Sequence, residues 1–109
     1  MKLAVNRELF EREAAICKAF AHPTRLCLLD TLAKHECSGS ELQKRLGLSS
    51  PNLSQHLAVL KGAGLVVAHR RGNQMLCSLQ MPEVKQACQT LRKMLRAQIR
   101  QSSQWMPND

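Results

Sequence analysis

The chain has 109 residues, a formal net charge of +8 and a pI near 9.8, which suits a single domain with a polyanionic partner, nucleic acid being the commonest. Only Phe10, Phe20 and Trp105 are aromatic, so the core must be aliphatic, and a core this small commonly gains stability by dimerisation. No apolar stretch is long enough to cross a bilayer, and the N-terminus reaches Arg7 too soon for a signal peptide. A membrane partner is thereby set aside, and the protein is read as cytoplasmic.

Residues 7–21 carry Phe10, Ala14, Cys17 and Ala21 at helical spacing, with Leu9, Ile16 and Phe20 widening the face. His22-Pro23 interrupts that pattern. Proline is tolerated at a first helical position because its missing N–H would be unpaired there, so a second helix starts at Pro23 and runs to about His35. Ser38-Gly39-Ser40-Glu41 has capping-box spacing and opens a third helix, Gly39 to Leu46, closed by Gly47. Ser50-Pro51 opens the fourth, which Gly62-Ala63-Gly64 stops.

The period then turns strand-like. Leu65 to His69 and Met75 to Leu79 flank Arg70-Arg71-Gly72-Asn73-Gln74, a hairpin signal with Gly-Asn at its tip. Met81-Pro82-Glu83 opens a last helix running to roughly Gln101. The expected architecture is mostly α with one small β-hairpin, a dimeric winged helix-turn-helix over 1–109 with frayed tails at 1–6 and 102–109.

On a wheel of the fourth helix, Leu53, Leu57 and Leu60 form a buried stripe. Gln55 lies nearly opposite with Pro51, Ala58 and Gly62, and Asn52, Ser54 and His56 lie on the flanks. Asn and Gln bond adenine in the major groove, while Ser serves base or phosphate. Ser49 and Ser50 add backbone donors that suit phosphate. Taken alone, such residues equally well solvate an ordinary surface helix. The short helix and turn before them, and the basic hairpin after them, favour DNA. His56, at the stripe's edge, either packs or reads a base. The hairpin's Arg70, Arg71 and Asn73, with His69, make a wing that lays guanidinium groups on phosphates or in a minor groove.

Several of these segments resemble the ArsR/SmtB family from about residue 14 to residue 95: Ala21-His22-Pro23-Thr24-Arg25-Leu26, Ser40-Glu41-Leu42, Leu48 to Leu57, and Ala63-Gly64-Leu65-Val66. The resemblance implies a homodimeric repressor on a double-stranded, pseudo-palindromic operator, released by an inducer. It also implies that Ser50 to His56 form the recognition helix and that the first and last helices build the dimer. Phe10, Ala14, Val84, Cys88, Leu91 and Leu95 are the expected seam.

The family's sensory sites do not carry over. Where its thiolate motif E-L-C-V-C-D-L would begin the third helix, this chain has Glu36-Cys37-Ser38-Gly39-Ser40-Glu41-Leu42. Ser38 and Ser40 stand in place of the two cysteines. The last helix offers Glu83 but no histidine for the zinc-sensing pattern, and Asp30 and Arg96 stand where the persulfide-sensing branch places cysteines.

Five cysteines, at 17, 27, 37, 77 and 88, include no C-x-x-C pair, which argues against a disulfide scaffold or zinc ribbon. Burial as small hydrophobes is the default for each. Cys37, in a polar inter-helix turn, is expected to be the most exposed. Cys17 with Cys88 in the dimer core is the leading thiol-switch candidate and Cys37 the next; the cofactor would be a thiolate-bound metalloid or metal ion, or none. The competing function is a constitutive or architectural DNA-binding protein with no ligand. An enzyme lacks support, since no nucleophile–base motif or glycine-rich phosphate loop exists. An RNA-binding winged helix lacks aromatic platforms for stacking bases.

Overall fold

The computed structural model describes residues 6–102. Five helices and three short strands follow in the order α1 (Arg7–Phe20), α2 (Pro23–Lys34), β1 (Cys37–Ser38), α3 (Gly39–Leu46), α4 (Ser50–Gly62), β2 (Val66–Arg71), β3 (Gln74–Leu79) and α5 (Pro82–Ser102). The expected tails lie outside the described residues except at their inner ends. There, the Asn6 side chain accepts the Leu9 N–H and caps α1, and Ser102 closes α5.

Local chemistry explains the helix boundaries. Pro23 and Pro51 occupy the first turns of α2 and α4, where a missing N–H costs nothing. The caps ahead of them differ in kind. His22 Nδ1 accepts from Thr24 N at 3.0 Å, whereas Ser49 Oγ accepts from Asn52 N at 3.3 Å. Ser38 Oγ accepts from Glu41 N at 3.2 Å, as the capping-box spacing predicts. Gly47 ends α3 in the left-handed region at φ 66°, its N–H bonded to Gln43 O, a conformation that favours glycine.

The core is aliphatic. Leu28 and Leu29 of α2, Leu42 of α3 and Leu60 of α4 are fully buried, joined by Leu32, Leu53, Leu57, Leu65, Val66 and Val84. Among the described residues no polar or charged side chain is buried with them. No described helix is long and apolar enough to cross a membrane.

One element corrects the sequence reading. Cys37 does not sit exposed in a turn; it is fully buried in strand β1, directly opposite Cys77 of β3. Residues 37–38 extend the hairpin to a three-stranded antiparallel sheet of order β1-β3-β2. The side-chain alternation of a strand turns Cys37 inward, and two residues are too few to show a period.

Candidate nucleic-acid interface

The pair α3–α4 makes the helix-turn-helix, and α4 is fixed by its leucine stripe. Leu53, Leu57 and Leu60 are buried, so Ser50, Asn52, Ser54, Gln55 and Ala58 stand exposed on the other side. Ser49 is exposed too, although its hydroxyl accepts the Asn52 N–H as the α4 cap. No acidic residue lies in α4, so nothing on its outer face repels phosphate.

His56 occupies the border and turns toward the protein. Its ring lies 4.5 Å from that of His22, tilted by 52°, and its Nδ1 is 3.5 Å from Arg25 Nη1. Arg25 in turn donates to Ala19 O at 2.7 Å and Lys18 O at 3.2 Å, closing the C-terminal end of α1. Burial, then the neighbouring His22 and Arg25 charges, lowers the His56 pKa, so the ring is neutral at physiological pH. Half-buried as it is, His56 joins α4 to the α1–α2 corner. In sequence, His22 marks the break before α2 and Arg25 belongs to the family-like segment, and neither shows itself as a partner of His56.

The wing is the β2–β3 hairpin. Arg71 pairs with Gln74 across a two-residue turn, Gly72-Asn73, with Gly72 at φ 62°; this left-handed position favours glycine. Arg70, Arg71 and Asn73 are exposed. Arg71 nonetheless has a partner that the sequence did not reveal: Glu36, just before β1, reaches Arg71 Nη1 at 3.0 Å and His69 Nε2 at 3.3 Å. With the Arg71 side chain 69% exposed, this pair is a surface contact that phosphate oxygens can replace at little cost.

Helices α1 and α5 show the opposite character. Leu9 (54%), Phe10 (48%) and Ile16 on α1, with Leu91, Met94 (56%) and Leu95 (47%) on α5, are apolar and exposed in the single chain. Ala14 is exposed as well. Val84 belongs instead to the chain's own core, and Cys88 packs against that core. Within one chain α1 packs on α2, while α5 packs on α2 and β3.

The cysteines divide by environment. Cys17 and Cys27 are exposed, Cys88 is half-buried, and Cys37 and Cys77 are buried. Desolvation is the largest cause raising the thiol pKa of Cys37, Cys77 and Cys88, which keeps these three protonated near neutral pH.

Comparison with known proteins agrees with this geometry. The family described as bacterial regulatory protein, arsR family, matches residues 22–67. The HTH-type transcriptional regulator Rv0081 of Mycobacterium tuberculosis is 40% identical over 91 residues, covering 83% of this chain and 80% of that protein. Its crystal structure superposes with a TM-score of 0.83 at 35% identity, over 90% of this chain and 99% of that one. The biofilm growth-associated repressor of Xylella fastidiosa is 35% identical over 102 residues, 90% of each chain. The homodimeric winged helix-turn-helix DNA-binding domain Mb0332 of Mycobacterium bovis shares the fold, with a TM-score of 0.78 at 24% identity over 99% of this chain and 100% of that one.

Proposed function

Because this chain belongs to the ArsR family of transcription regulators, we propose that it acts as a homodimeric repressor, bound to a pseudo-palindromic operator and released by an inducer. The observation that carries the reading is the two-sided α4 helix. Its leucine stripe is buried in the core, and its amide and serine side chains stand exposed beside a basic wing. Asn52 and Gln55 read base edges, Ser50 and Ser54 contact base or phosphate, and the Ser50 N–H at the start of α4 donates to phosphate. Arg70, Arg71 and Asn73 anchor the flank.

Dimerisation is supported by the apolar residues left uncovered on α1 and α5, which a second copy would bury. The seam then runs through Phe10, Ala14, Leu91 and Leu95, with Val84 and Cys88 behind it as packing. Such a dimer spaces two α4 helices for successive major grooves, ~34 Å apart.

The inducer reading rests on the cysteines, with Cys17 and Cys88 across the interface as the leading pair. A constitutive DNA-binding protein is the competing reading, and the raised pKa of three of the five thiols favours it. Selection of bound sequences from a random duplex library tests the operator. The reading requires an inverted repeat with half-sites about one helical turn apart; a lack of sequence preference would refute it.

A further inference from the structure

A cluster at the join of α2, β1 and α3 has no role in the DNA-reading surface. His35 caps the end of α2, Cys37 lies in β1, and Glu41 lies in the first turn of α3. One ligand atom from each lies within 4.8 Å of the other two. We propose that His35 Nδ1, Cys37 Sγ and a Glu41 carboxylate oxygen form a binding site for a zinc-type divalent transition metal.

One ligand-to-ligand distance already matches. A tetrahedral zinc ion with bonds of about 2.0 Å to nitrogen and 2.3 Å to sulfur holds those two atoms about 3.5 Å apart. His35 Nδ1 and Cys37 Sγ are 3.6 Å apart. The carboxylate completes a mixed N/S/O set, and the fourth position stays open to water, as in three-ligand zinc sites. The sulfur is the buried inner ligand and His35 the exposed outer one, with Glu41 half-exposed. These are not the positions of the family's cysteine motif, which here are Ser38 and Ser40.

Arg45 is the competitor. Its Nη2 lies 3.1 Å from Glu41 Oε2 and 3.5 Å from His35 Nε2. His35 Nδ1 meanwhile donates to the Glu36 carbonyl at 2.9 Å, so in the metal-free chain the imidazole proton sits on Nδ1. Metal binding requires that proton to move to Nε2, which ends both hydrogen bonds and displaces Arg45. It also releases the Cys37 thiol proton. Glu36, between two of the ligands, is also the partner of wing residues His69 and Arg71. If the DNA-binding reading above holds, the metal would thus act on the wing through Glu36, whose carbonyl gives up its bond from His35 Nδ1.

Cobalt(II) titration of the reduced full-length protein, without DNA, tests the site independently of that reading. The expected result is one cobalt per chain, with a thiolate-to-cobalt charge-transfer band and the intense visible bands of tetrahedral cobalt, both erased by zinc(II). His35→Ala, at an exposed position, should weaken cobalt binding by at least ~10-fold, and Arg45→Ala should strengthen it. The band should survive when Cys17, Cys27 and Cys88 are all replaced by serine. Lack of a thiolate band in the wild type, full affinity in His35→Ala, or loss of the band in the triple serine variant would each overturn the proposal.

Discussion

His22 and His56 stand ring against ring, 4.5 Å apart, one capping α2 and the other on α4. Arg25 also reaches the His56 ring, at 3.5 Å, while donating to the carbonyls at the end of α1, so the contact joins α4 to the α1–α2 corner. It also makes the corner sensitive to acid. His56 has a lowered pKa in the folded chain, so below the unfolded value of about 6.5 the unfolded state binds more protons than the folded one. Stability contributed by the neutral ring is present above that pH and is lost as pH falls through 6.5 toward the folded value. The melting temperature should therefore drop as pH is lowered from 7.5 to 5.5, and the drop should be smaller in His56→Gln. An equal drop in the variant would show that other groups carry the dependence.

Reading and anchoring should separate by mutation. Gln55→Ala is expected to weaken specific binding by about 1–3 kcal/mol and relax preference at one base pair in each half-site. Arg71→Ala should weaken binding to all sequences alike and reduce the salt slope by about 1. Glu36→Gln frees Arg71 and His69 from their carboxylate partner, so it should strengthen binding without changing sequence preference. Anisotropy titrations at several salt concentrations measure all three. A uniform loss across sequences for Gln55→Ala would contradict the assignment.

The helix-turn-helix was legible because its signals are local. Leucines at 53, 57 and 60 repeat with the helical period, serines and prolines mark the starts, and Gly72-Asn73 marks the hairpin. Strand β1 was not legible, because it exists only by pairing with a strand about 40 residues later. The same holds for His56 and Arg71. Their partners His22, Arg25 and Glu36 come from other elements, and each looks like an ordinary cap or surface charge in sequence. Val84 shares a helical stripe with Leu91 and Leu95, yet only the folded chain shows that Val84 is covered by its own core. A helix that packs its start on the core and leaves later residues uncovered carries two apolar surfaces that periodicity alone cannot separate.

The exposed half of that stripe gives a test of assembly. Leu91 and Leu95 lie one turn apart on α5, both uncovered in the single chain. A charge placed there would have to be buried unpaired in a dimer, at a cost of several kcal/mol. Leu95→Glu should thus yield a folded monomer by analytical ultracentrifugation at micromolar concentration, with a helical circular dichroism spectrum and greatly weakened operator binding. Val84→Glu should instead fail to fold, since its site lies in the chain's own core. A Leu95→Glu variant that sediments as a dimer would move the seam elsewhere.

The thiols allow a test of the switch itself. Alkylation of the native protein should reach Cys27 before Cys37 and Cys77, which are buried with raised pKa values. Cys17 is exposed in the single chain, so slow alkylation of Cys17 in the dimer would place it in the interface. If it does lie there, Cys17 and Cys88 become the pair able to respond together. Arsenite would bridge two thiolates, and peroxide would take two electrons from the thiols, leaving a disulfide and water. Either event changes how α1 of one protomer sits on α5 of its partner, and with it the separation of the two α4 helices. The disulfide further requires Cα atoms within about 7 Å. The Cys17→Ser, Cys88→Ser double variant should bind operator like the wild type but stay bound in arsenite and peroxide. Release equal to the wild type would exclude this pair and leave Cys37, next to His35 and Glu41, as the thiol to replace next.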